Sequence, residues 1–340
     1  MSVSQPRPNL FLIGSMKSGT THLSELLADH PDIFMSSPKE PCHFVDGKAL
    51  KRVWWYMWQL GYWRSEEQYL RLFANAGAAR VIAEASTVYT HAPICSGVPR
   101  RILEFSPEAR FIYVIRDPIE RTISHYWHRV RWWRERRPLL DALRKDPQYT
   151  DVSHYARQLK EYLRHVETGR IHVLTYEALL ADPALELSRV FTWLGVNPSF
   201  RPPRIGTPAN ERPEVIEQVR GLGLLDRLRY HPTYARVAHF IPPAVRRLGK
   251  QLAVRPVRPE DVPTAEAASY LRSRQQRETL ELSALLQRDF AEWTTLYADS
   301  PPAGRAVPMQ RSPPQPRAAP PAEARGACRA TVLRPPAPRP

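Results

Sequence analysis

The sequence is poor in cysteine, and this scarcity excludes one class of small secreted fold. The chain of 340 residues contains only Cys42, Cys95 and Cys328. An odd and sparse set of this kind does not make a disulfide framework. Histidine and cysteine pairs at zinc-site spacing are also missing, as are clustered aspartates. The sequence therefore predicts a reducing compartment and no metal cofactor.

Long apolar runs are missing as well. No stretch approaches the roughly 18 apolar residues of a membrane-spanning helix. The aromatic segment 53–63, VWWYMWQLGYW, is too short and is flanked by Lys51, Arg52 and Arg64. Near the N-terminus the apolar run covers only residues 10–13, shorter than the apolar core of a secretion signal. We therefore expect a cytoplasmic protein without a membrane span.

Acidic residues are too few to balance the basic ones. There are 49 Lys and Arg against 34 Asp and Glu, a formal net charge of +15. The last forty residues contain seven Arg and one Glu, so most of the excess lies in the rest of the chain. A basic body suits a polyanionic nucleotide and an anionic acceptor. Zinc-finger spacings and aromatic RNA-reading motifs are absent, so nucleic acid is not the expected partner.

The order of predicted elements indicates one large domain. Strands are predicted at 10–13, 32–35, 80–84, 111–115 and 171–175, with helices between them. Further helices are predicted near 214–230 and 264–297. This alternation predicts an α/β fold with a mostly parallel central sheet flanked by helices, and ligands at the carboxyl ends of its strands.

The two ends of the chain differ in composition from the middle. Residues 1–7 are predicted to be a flexible N-terminus, and 8–298 to be the folded domain. Twelve of the last forty residues are Pro, and few large apolar residues accompany them. We therefore predict that the Pro- and Arg-rich tail, 299–340, is disordered.

A glycine-containing loop follows the first predicted strand and precedes a helix. Gly14 and Gly19 are separated by four residues, as in the nucleotide P-loop. However, Thr20 follows Gly19 where that motif has lysine, and Lys17 lies two positions before Gly19. Backbone N–H groups, a helix N-terminus and an ammonium group meet here, so the loop predicts an anion site, most naturally for phosphate.

A second candidate anion site follows the strand at 111–115. Arg116 ends this strand, and Asp117-Pro118 predicts a helix start with Asp as N-cap and Pro as the first helical residue. Ser124 lies eight residues after Arg116, two turns into that helix. A guanidinium and a hydroxyl that converge there could bind a second phosphate.

Together these motifs resemble the sulfotransferases that use 3′-phosphoadenosine 5′-phosphosulfate (PAPS). The loop K-S-G-T-T resembles their 5′-phosphosulfate loop, and R-D-P-x-x-R-x-x-S-x-Y resembles their 3′-phosphate motif. Lys39-Glu40-Pro41 with His43-Phe44 resembles the K-E-P-H-F-F element of the carbohydrate branch. Glu84 to Tyr89 resembles the E-x-S-P-x-Y element, although Thr87 replaces its proline. The resemblance covers about residues 8 to 298 and implies a P-loop-like sulfotransferase fold.

The resemblance implies a role for each donor-site residue. Lys17 would face the bridging oxygen of the leaving group, and 3′-phosphoadenosine 5′-phosphate (PAP) would be the product. No metal would be required. The late donor-contacting loop varies within the family, and we place it at Asn210 and Arg212. The residues expected to bind the 5′-phosphate are Ser18, Gly19, Thr20 and Thr21, and those expected to bind the 3′-phosphate are Arg116 and Ser124.

The catalytic base is less well determined. Resemblance to the carbohydrate branch implies Glu40, which could instead form a surface ion pair with Lys39 or Arg52. His43 is the rival base and His22 a weaker third candidate. Cys42 occupies the place where the family often has histidine, so a histidine role is in doubt. Two residues are predicted to contact the substrate: Lys39 and Tyr89.

The acceptor itself cannot be read from the sequence. Saccharide, glycolipid, phenol and peptide tyrosine all remain open, and the K-E-P element favours carbohydrate. The aromatic residues at 54–58 could line an acceptor cleft or fill the core. The basic segment 129–137 could receive an anionic acceptor or form a solvated helix end. Arg121 is expected to brace its helix. The oligomeric state is not predicted.

Two other functions compete with sulfuryl transfer. A kinase or NTPase would need a Walker-B aspartate after an apolar strand. Asp117 is the single candidate, and Pro118 makes it a helix cap instead. The other alternative is a non-catalytic polyanion-binding protein built on the basic face and tail.

Overall fold

A parallel sheet of five strands forms the centre of the protein. The computed structural model describes residues 5–207, 213–219 and 254–298. The strand order is β2-β3-β1-β4-β5, and every neighbouring pair is parallel. The predicted α/β class is therefore confirmed. The strands are β1 Leu10–Gly14, β2 Ile33–Met35, β3 Val81–Ala85, β4 Arg110–Ile115 and β5 Ile171–Thr175.

Helices connect these strands and cover both faces of the sheet. In the first half they are α1 Thr20–Ala28, α2 Gly47–Val53, α3 Trp55–Leu60, α4 Glu66–Leu70 and α5 Val98–Phe105. After β4 come α6 Pro118–Trp133, α7 Leu139–Lys145, α8 Gln148–Asp151 and α9 Tyr155–Leu163. The last are α10 Tyr176–Ala181, α11 Pro183–Leu194, α12 Ala265–Leu286 and α13 Thr294–Tyr297. Across the described ranges, no helix is long and apolar enough to cross a membrane.

The side chains of β1 alternate between two clusters of buried apolar residues, one on each face of the sheet. Phe11 and Ile13 belong to the larger cluster of buried apolar residues, whereas Leu10 and Leu12 belong to the smaller one. Successive strand side chains point to opposite faces, so a continuous apolar run buries both. Helices α1 and α11 contribute to the smaller cluster, and α2, α5, α6, α9 and α12 to the larger one.

The topology brings the functional candidates to one edge. Strand β1 lies between β3 and β4, and the chain continues from β1 toward β2 on one side before it crosses to β4 on the other. This reversal is the switch point at which parallel sheets bind ligands. Because the strands are parallel, the loop after β1, the segment after β3 and Arg116 after β4 all lie at the carboxyl edge.

One predicted helix is wrong where the structure describes it. Residues Ile216–Val219 form β6, which pairs antiparallel with β7 Val254–Val257. Ile216 and Gln218 are buried and the intervening Glu217 is exposed, which is the two-residue period of a strand. Gln218 donates to the carbonyl of Glu135 and accepts from Arg255, so contacts distant in sequence select the strand.

Candidate functional site

The loop after β1 has an unusual backbone. Lys17 has φ 72° and Gly19 has φ 82°, both in the left-handed region. A Cβ on Gly19 would lie 2.5 Å from the ring of Tyr176, the first residue of α10, so glycine is required there. Left-handed non-glycine residues such as Lys17 concentrate at functional sites, where the surrounding structure holds them.

The start of α1 faces the same loop. Gly19 is the N-cap of this helix and supplies no side-chain hydrogen bond. The first N–H groups of the helix therefore have no side-chain cap, which suits an anion. Within the loop, the hydroxyls of Ser15 and Ser18 are hydrogen-bonded to each other at 2.6 Å. Both serines are buried, so this bond stiffens the loop around Lys17.

Lys39 reaches the loop from the segment after β2. Its ammonium donates to the hydroxyl oxygens of Thr20 and Thr21, at 3.0 Å each. Each threonine hydroxyl keeps its own hydrogen to donate to a bound anion. Lys39 thus lies on the loop side of the site, where a sulfonate or phosphate would also be in reach.

The Lys17 ammonium is surrounded by other cations. Burial, with the charges of Arg116, Lys39, Arg131 and Arg121, lowers its pKa to about 8. Within the parts of the chain that the structure describes, no hydrogen bond or ion pair neutralises this ammonium. Lys17 is half-buried, and a partly desolvated cation among cations is costly unless an anion joins it. The cluster is therefore built to receive negative charge.

Arg116 joins the second motif to the loop. Its guanidinium lies 3.4 Å from the carbonyl oxygen of Lys17 and 4.9 Å from the ring centroid of Tyr176. Its nearest carboxylate, that of Glu120, is 3.5 Å away. Ser124 lies further along α6 and is partly buried. The two predicted phosphate sites are thus neighbours in space, although nearly a hundred residues separate them in sequence.

The predicted cap of α6 is present. The Asp117 carboxylate accepts from the N–H groups of Ile119 and Glu120, and Pro118 is the first helical residue. Its other oxygen accepts from the N–H of Leu296 at 3.0 Å, so the end of the domain docks on this helix start. Asp117 is therefore structural, which removes the single Walker-B candidate.

Arg121 is fully buried and has no carboxylate partner among the residues described. It donates to the hydroxyl of Ser153 at 2.5 Å, to the carbonyl of Tyr149 and, at 3.5 Å, to the carbonyl of Met16. Burial lowers its pKa to about 10, so it stays charged at neutral pH. Arg121 therefore braces the loop before Lys17 as well as its own helix.

Glu40 lies inside the site rather than on the surface. It is 8% exposed, and its carboxylate accepts from the N–H of Thr87 at 2.8 Å and from the Thr87 hydroxyl at 3.0 Å. Lys39 is 3.9 Å from the same carboxylate. Burial raises the Glu40 pKa, while Lys39 and Thr87 oppose the rise. The ion pair with Lys39 considered from the sequence is therefore present, but its Glu40 carboxylate is buried rather than on the surface, and the unusual Thr87 is the partner that holds it.

His43 occupies a different environment. Its ring stacks on Tyr69 with centroids 4.2 Å apart, and Nδ1 lies 2.6 Å from the carbonyl oxygen of Tyr62. Burial lowers the pKa of His43. The structure thus places this ring in an aromatic cluster with Phe44, Tyr69 and Phe105. His22, the third candidate, lies in the first turn of α1 and is partly buried.

Tyr89 is a core residue, which corrects its predicted place beside the substrate. It is 2% exposed, and its hydroxyl accepts from the N–H of Phe44 at 3.4 Å. Beneath it, Glu84 is fully buried, and burial raises the Glu84 pKa to about 8. Both residues support the segment that carries Glu40, since Ser86 links Glu84 to the N–H of Cys42.

The predicted donor residues Asn210 and Arg212 and the predicted tail lie outside the described residues. In the described part, no group of His, Cys, Asp and Glu is arranged to hold a metal ion. Cys42 and Cys95 are buried free thiols. Sequence reasoning did not single out Arg131, whose charge acts on Lys17 from the far end of α6.

Comparison with known families agrees with the geometry. A family model described as "Sulfotransferase family" matches residues 8–199. A sulfotransferase from Alicyclobacillus acidocaldarius superposes with a TM-score of 0.60 at 24% identity, covering 85% of this chain and 99% of that one. At this identity the superposition establishes the fold, and it confirms the predicted sulfotransferase fold.

Curated relatives extend the comparison. Heparan sulfate glucosamine 3-O-sulfotransferase 3B1 of Mus musculus is 27% identical over 252 residues, which are 68% of this chain and 59% of the mouse protein. Membrane-associated sulfotransferase kil1 of Dictyostelium discoideum is 34% identical over 125 residues, 37% of this chain and 24% of the relative. The chain thus spans about three fifths of the length of the mouse protein.

Proposed function

The chain belongs to the sulfotransferase family, and from this we propose that it transfers the sulfuryl group of PAPS to a hydroxyl or amine of a carbohydrate-containing acceptor. The observation that carries the proposal is the half-buried Lys17 ammonium, which sits among cations and has no anionic partner in the described ranges. Phosphate and sulfate groups would supply the missing negative charge.

The two halves of the site suit the two ends of a bisphosphate nucleotide. Ser18, Gly19 and the start of α1 offer backbone and hydroxyl donors to a 5′-phosphate. Arg116, whose guanidinium already lies against the loop, would bind the 3′-phosphate together with Ser124. We keep Asn210 and Arg212 as proposed donor contacts. Bound PAPS supplies the transferable sulfuryl group.

The chain's own residues would then perform three tasks. Lys17 places a positive charge where the leaving phosphate develops negative charge, an interaction that grows toward the transition state. Lys39, fixed by Thr20 and Thr21, holds the sulfonate or the acceptor in line for displacement. Glu40 accepts the proton of the acceptor hydroxyl, which its raised pKa favours.

The acceptor proposal rests on the relatives. The matched mouse and human proteins are described as heparan sulfate glucosamine 3-O-sulfotransferases. The Lys39-Glu40-Pro41 segment, through which this chain resembles the carbohydrate branch, supplies the proposed base and its neighbouring cation. We therefore propose a saccharide or glycoconjugate acceptor. Among the candidate bases, the position of Glu40 beside Lys39 favours it over His43.

A thermal-shift experiment tests the donor half of the proposal. PAP should stabilise the protein without magnesium, because lysine and arginine provide the positive charge, whereas ATP with magnesium should not. The reverse result would favour a kinase or NTPase. Salt-sensitive polyanion binding that survives Lys17→Ala, without sulfate transfer, would instead favour a non-catalytic binding protein.

Substitution of the proposed base tests the catalytic half. Glu40→Gln should lower kcat about 10²- to 10⁴-fold, because it removes the proton acceptor, while PAP affinity stays within about twofold of wild type. His43→Asn is the matched control and should change kcat little. The assignment is wrong if Glu40→Gln retains near-normal kcat while His43→Asn does not.

A further inference from the structure

A narrow pocket opens beside the loop and is not used by the proposed donor site. Its volume is about 10 Å³, the space of a single small polar group. Helix α6 provides one wall, the segment after β3 a second and the α2–α3 junction a third. The side chains that matter for its chemistry are Met16, Trp54, His91, His125, His128 and Trp133.

His91 is the residue that most needs a partner in this pocket. It is 6% exposed, and neither ring nitrogen has a hydrogen-bond partner among the residues that the structure describes. A neutral imidazole carries one donor and one acceptor, and leaving both unsatisfied in a buried place is costly. A ligand group that both accepts and donates would satisfy them.

The other two imidazoles are neutral, and Arg129, which also lines the pocket, is paired with Asp146 at 2.6 Å. Burial lowers the pKa of His91 and of His128 to about 3, and that of His125 falls well below its usual value for the same reason. Nδ1 of His125 lies 3.5 Å from the Arg121 guanidinium, so it accepts and its proton is on Nε2. The pocket therefore presents neutral imidazole donors and acceptors beside one guanidinium that already has a carboxylate partner.

The pocket is adjacent to both proposed reacting groups. Met16, which lines it, precedes Lys17, and the Lys17 charge acts on His128. His91 lies four residues after Thr87, the residue that holds the Glu40 carboxylate. The rings of Trp54 and Trp133 lie 6.3 Å apart at its side, and flat indole faces suit the carbon face of a sugar ring.

We propose that this pocket is a hydroxyl subsite of the acceptor cleft. It takes one uncharged hydroxyl group of a sugar ring, hydrogen-bonded to His91, while Trp54 and Trp133 contact the ring itself. A carboxylate or sulfate group would meet neutral imidazoles there, and a guanidinium whose charge is already paired with Asp146. This inference rests on the proposed function. It adds a site that binds a neutral hydroxyl group next to the cationic donor site.

The test measures acceptor binding apart from donor binding. Isothermal titration with an unsulfated heparosan hexasaccharide, in the presence of PAP, would compare wild type with His91→Phe and His91→Asn. Phe fills the pocket without a donor or acceptor, whereas Asn keeps one of each. His172→Phe is the matched control. His172, on β5, packs beside Trp193 of α11 and does not line the pocket.

We expect His91→Phe to weaken hexasaccharide binding at least tenfold, and His91→Asn to weaken it less. His172→Phe should bind as wild type, and the PAP-induced thermal shift should be the same in all four proteins. Equal hexasaccharide affinity in wild type and His91→Phe overturns the subsite, and so does an absence of binding to wild type. The PAP shift decides separately whether the donor half of the proposed function stands.

Discussion

At the two ends of α6 the chain gathers positive charge in two different ways. Near its start, Lys17 has no anionic partner in the described ranges, and the closest carboxylates to Arg116 and Lys39 are 3.5 Å and 3.9 Å away. Near its end, Arg129 lies 2.6 Å from Asp146 and Arg137 lies 2.5 Å from Glu135. The first group is weakly neutralised, whereas Arg129 and Arg137 of the second are each paired with a carboxylate.

This contrast teaches that a run of basic residues is weaker evidence for an anion site than a few unpaired ones. Segment 129–137 looks the more basic in sequence and was considered as an anionic acceptor site. The structure shows that Glu135 accepts from Arg137 and from Tyr149, so it fixes the segment in place. The group around Lys17 is smaller, yet its central ammonium has no anionic partner in the described ranges.

Substitution of Lys17 should have the largest effect on kcat. If kcat did not change, the distinction between the two groups of basic residues would be wrong. We expect Lys17→Met to lower kcat about 10²- to 10³-fold, the usual loss when one preorganised charge at the transition state is removed. Arg137→Met is the control from the paired group and should leave kcat nearly unchanged, because Arg137 is already paired with Glu135. A radiolabelled sulfate-transfer assay measures both, and similar losses in the two variants would contradict the distinction.

The second-largest effect should be on PAP affinity, which should differ between variants of the two groups of basic residues. Arg116→Gln should weaken PAP binding by about tenfold to a hundredfold, since a charge-assisted hydrogen bond contributes about 1.5–3 kcal/mol. Arg137→Gln should change PAP binding by less than about twofold, because Arg137 is occupied by Glu135. Isothermal titration checks both values. Equal weakening of PAP binding in the two variants would mean that the ion pair with Glu135 does not prevent Arg137 from contributing to PAP binding.

The pKa of Lys17 makes a prediction about pH. In the unliganded protein this pKa is lowered to about 8 by burial and neighbouring cations. A bound anion raises it, so binding takes up a proton above pH 8, and affinity falls as pH rises. PAP should bind about tenfold more weakly at pH 9 than at pH 7 by this linkage. Lys17→Met should lack the dependence, and a flat wild-type profile would contradict it.

Glu135 should matter to stability and hardly to function. Burial alone would raise its pKa, but hydrogen bonds from Arg137 and Tyr149 hold it at about 2. Its stabilisation is present above the unfolded pKa and is lost as pH falls toward about 2. Glu135→Gln should cost about 1–3 kcal/mol of unfolding free energy at pH 7, and less at pH 3.

Denaturant titration at the two pH values measures the effect of Glu135→Gln, and PAP affinity serves as the control. The expected pattern is lower stability with unchanged PAP binding. A variant that is fully stable but binds PAP poorly would show instead that the paired group takes part in the site.

Several features of the fold were predictable because they depend on near neighbours in the chain. Asp117 and Pro118 determine a helix start through the N–H groups two and three residues ahead. The apolar run of β4 buries both faces, as a central parallel strand must. The helix predicted across 216–219 failed, because partners distant in sequence decided that segment.

The candidate site was predictable only in part, for the same reason. Lys17 and Arg116 were identified from short motifs, and their roles stay proposals. The environment of Glu40 could not be foreseen, since Thr87 approaches it from the segment after β3, 47 residues further along the chain. His43 and Tyr89 read as site residues in sequence, but packing places one in an aromatic cluster and the other in the core.

By itself the sequence determined which groups could bind an anion, because a strand, a turn and a helix start are local structures that aim their N–H groups without outside help. Only the tertiary structure decided which charges are left unpaired and which carboxylate is buried beside them. The physical reason is that the pairing and burial of a charge depend on distances of a few ångströms between groups far apart in sequence. The parallel sheet sets those distances when it brings the ends of β1, β3 and β4 together.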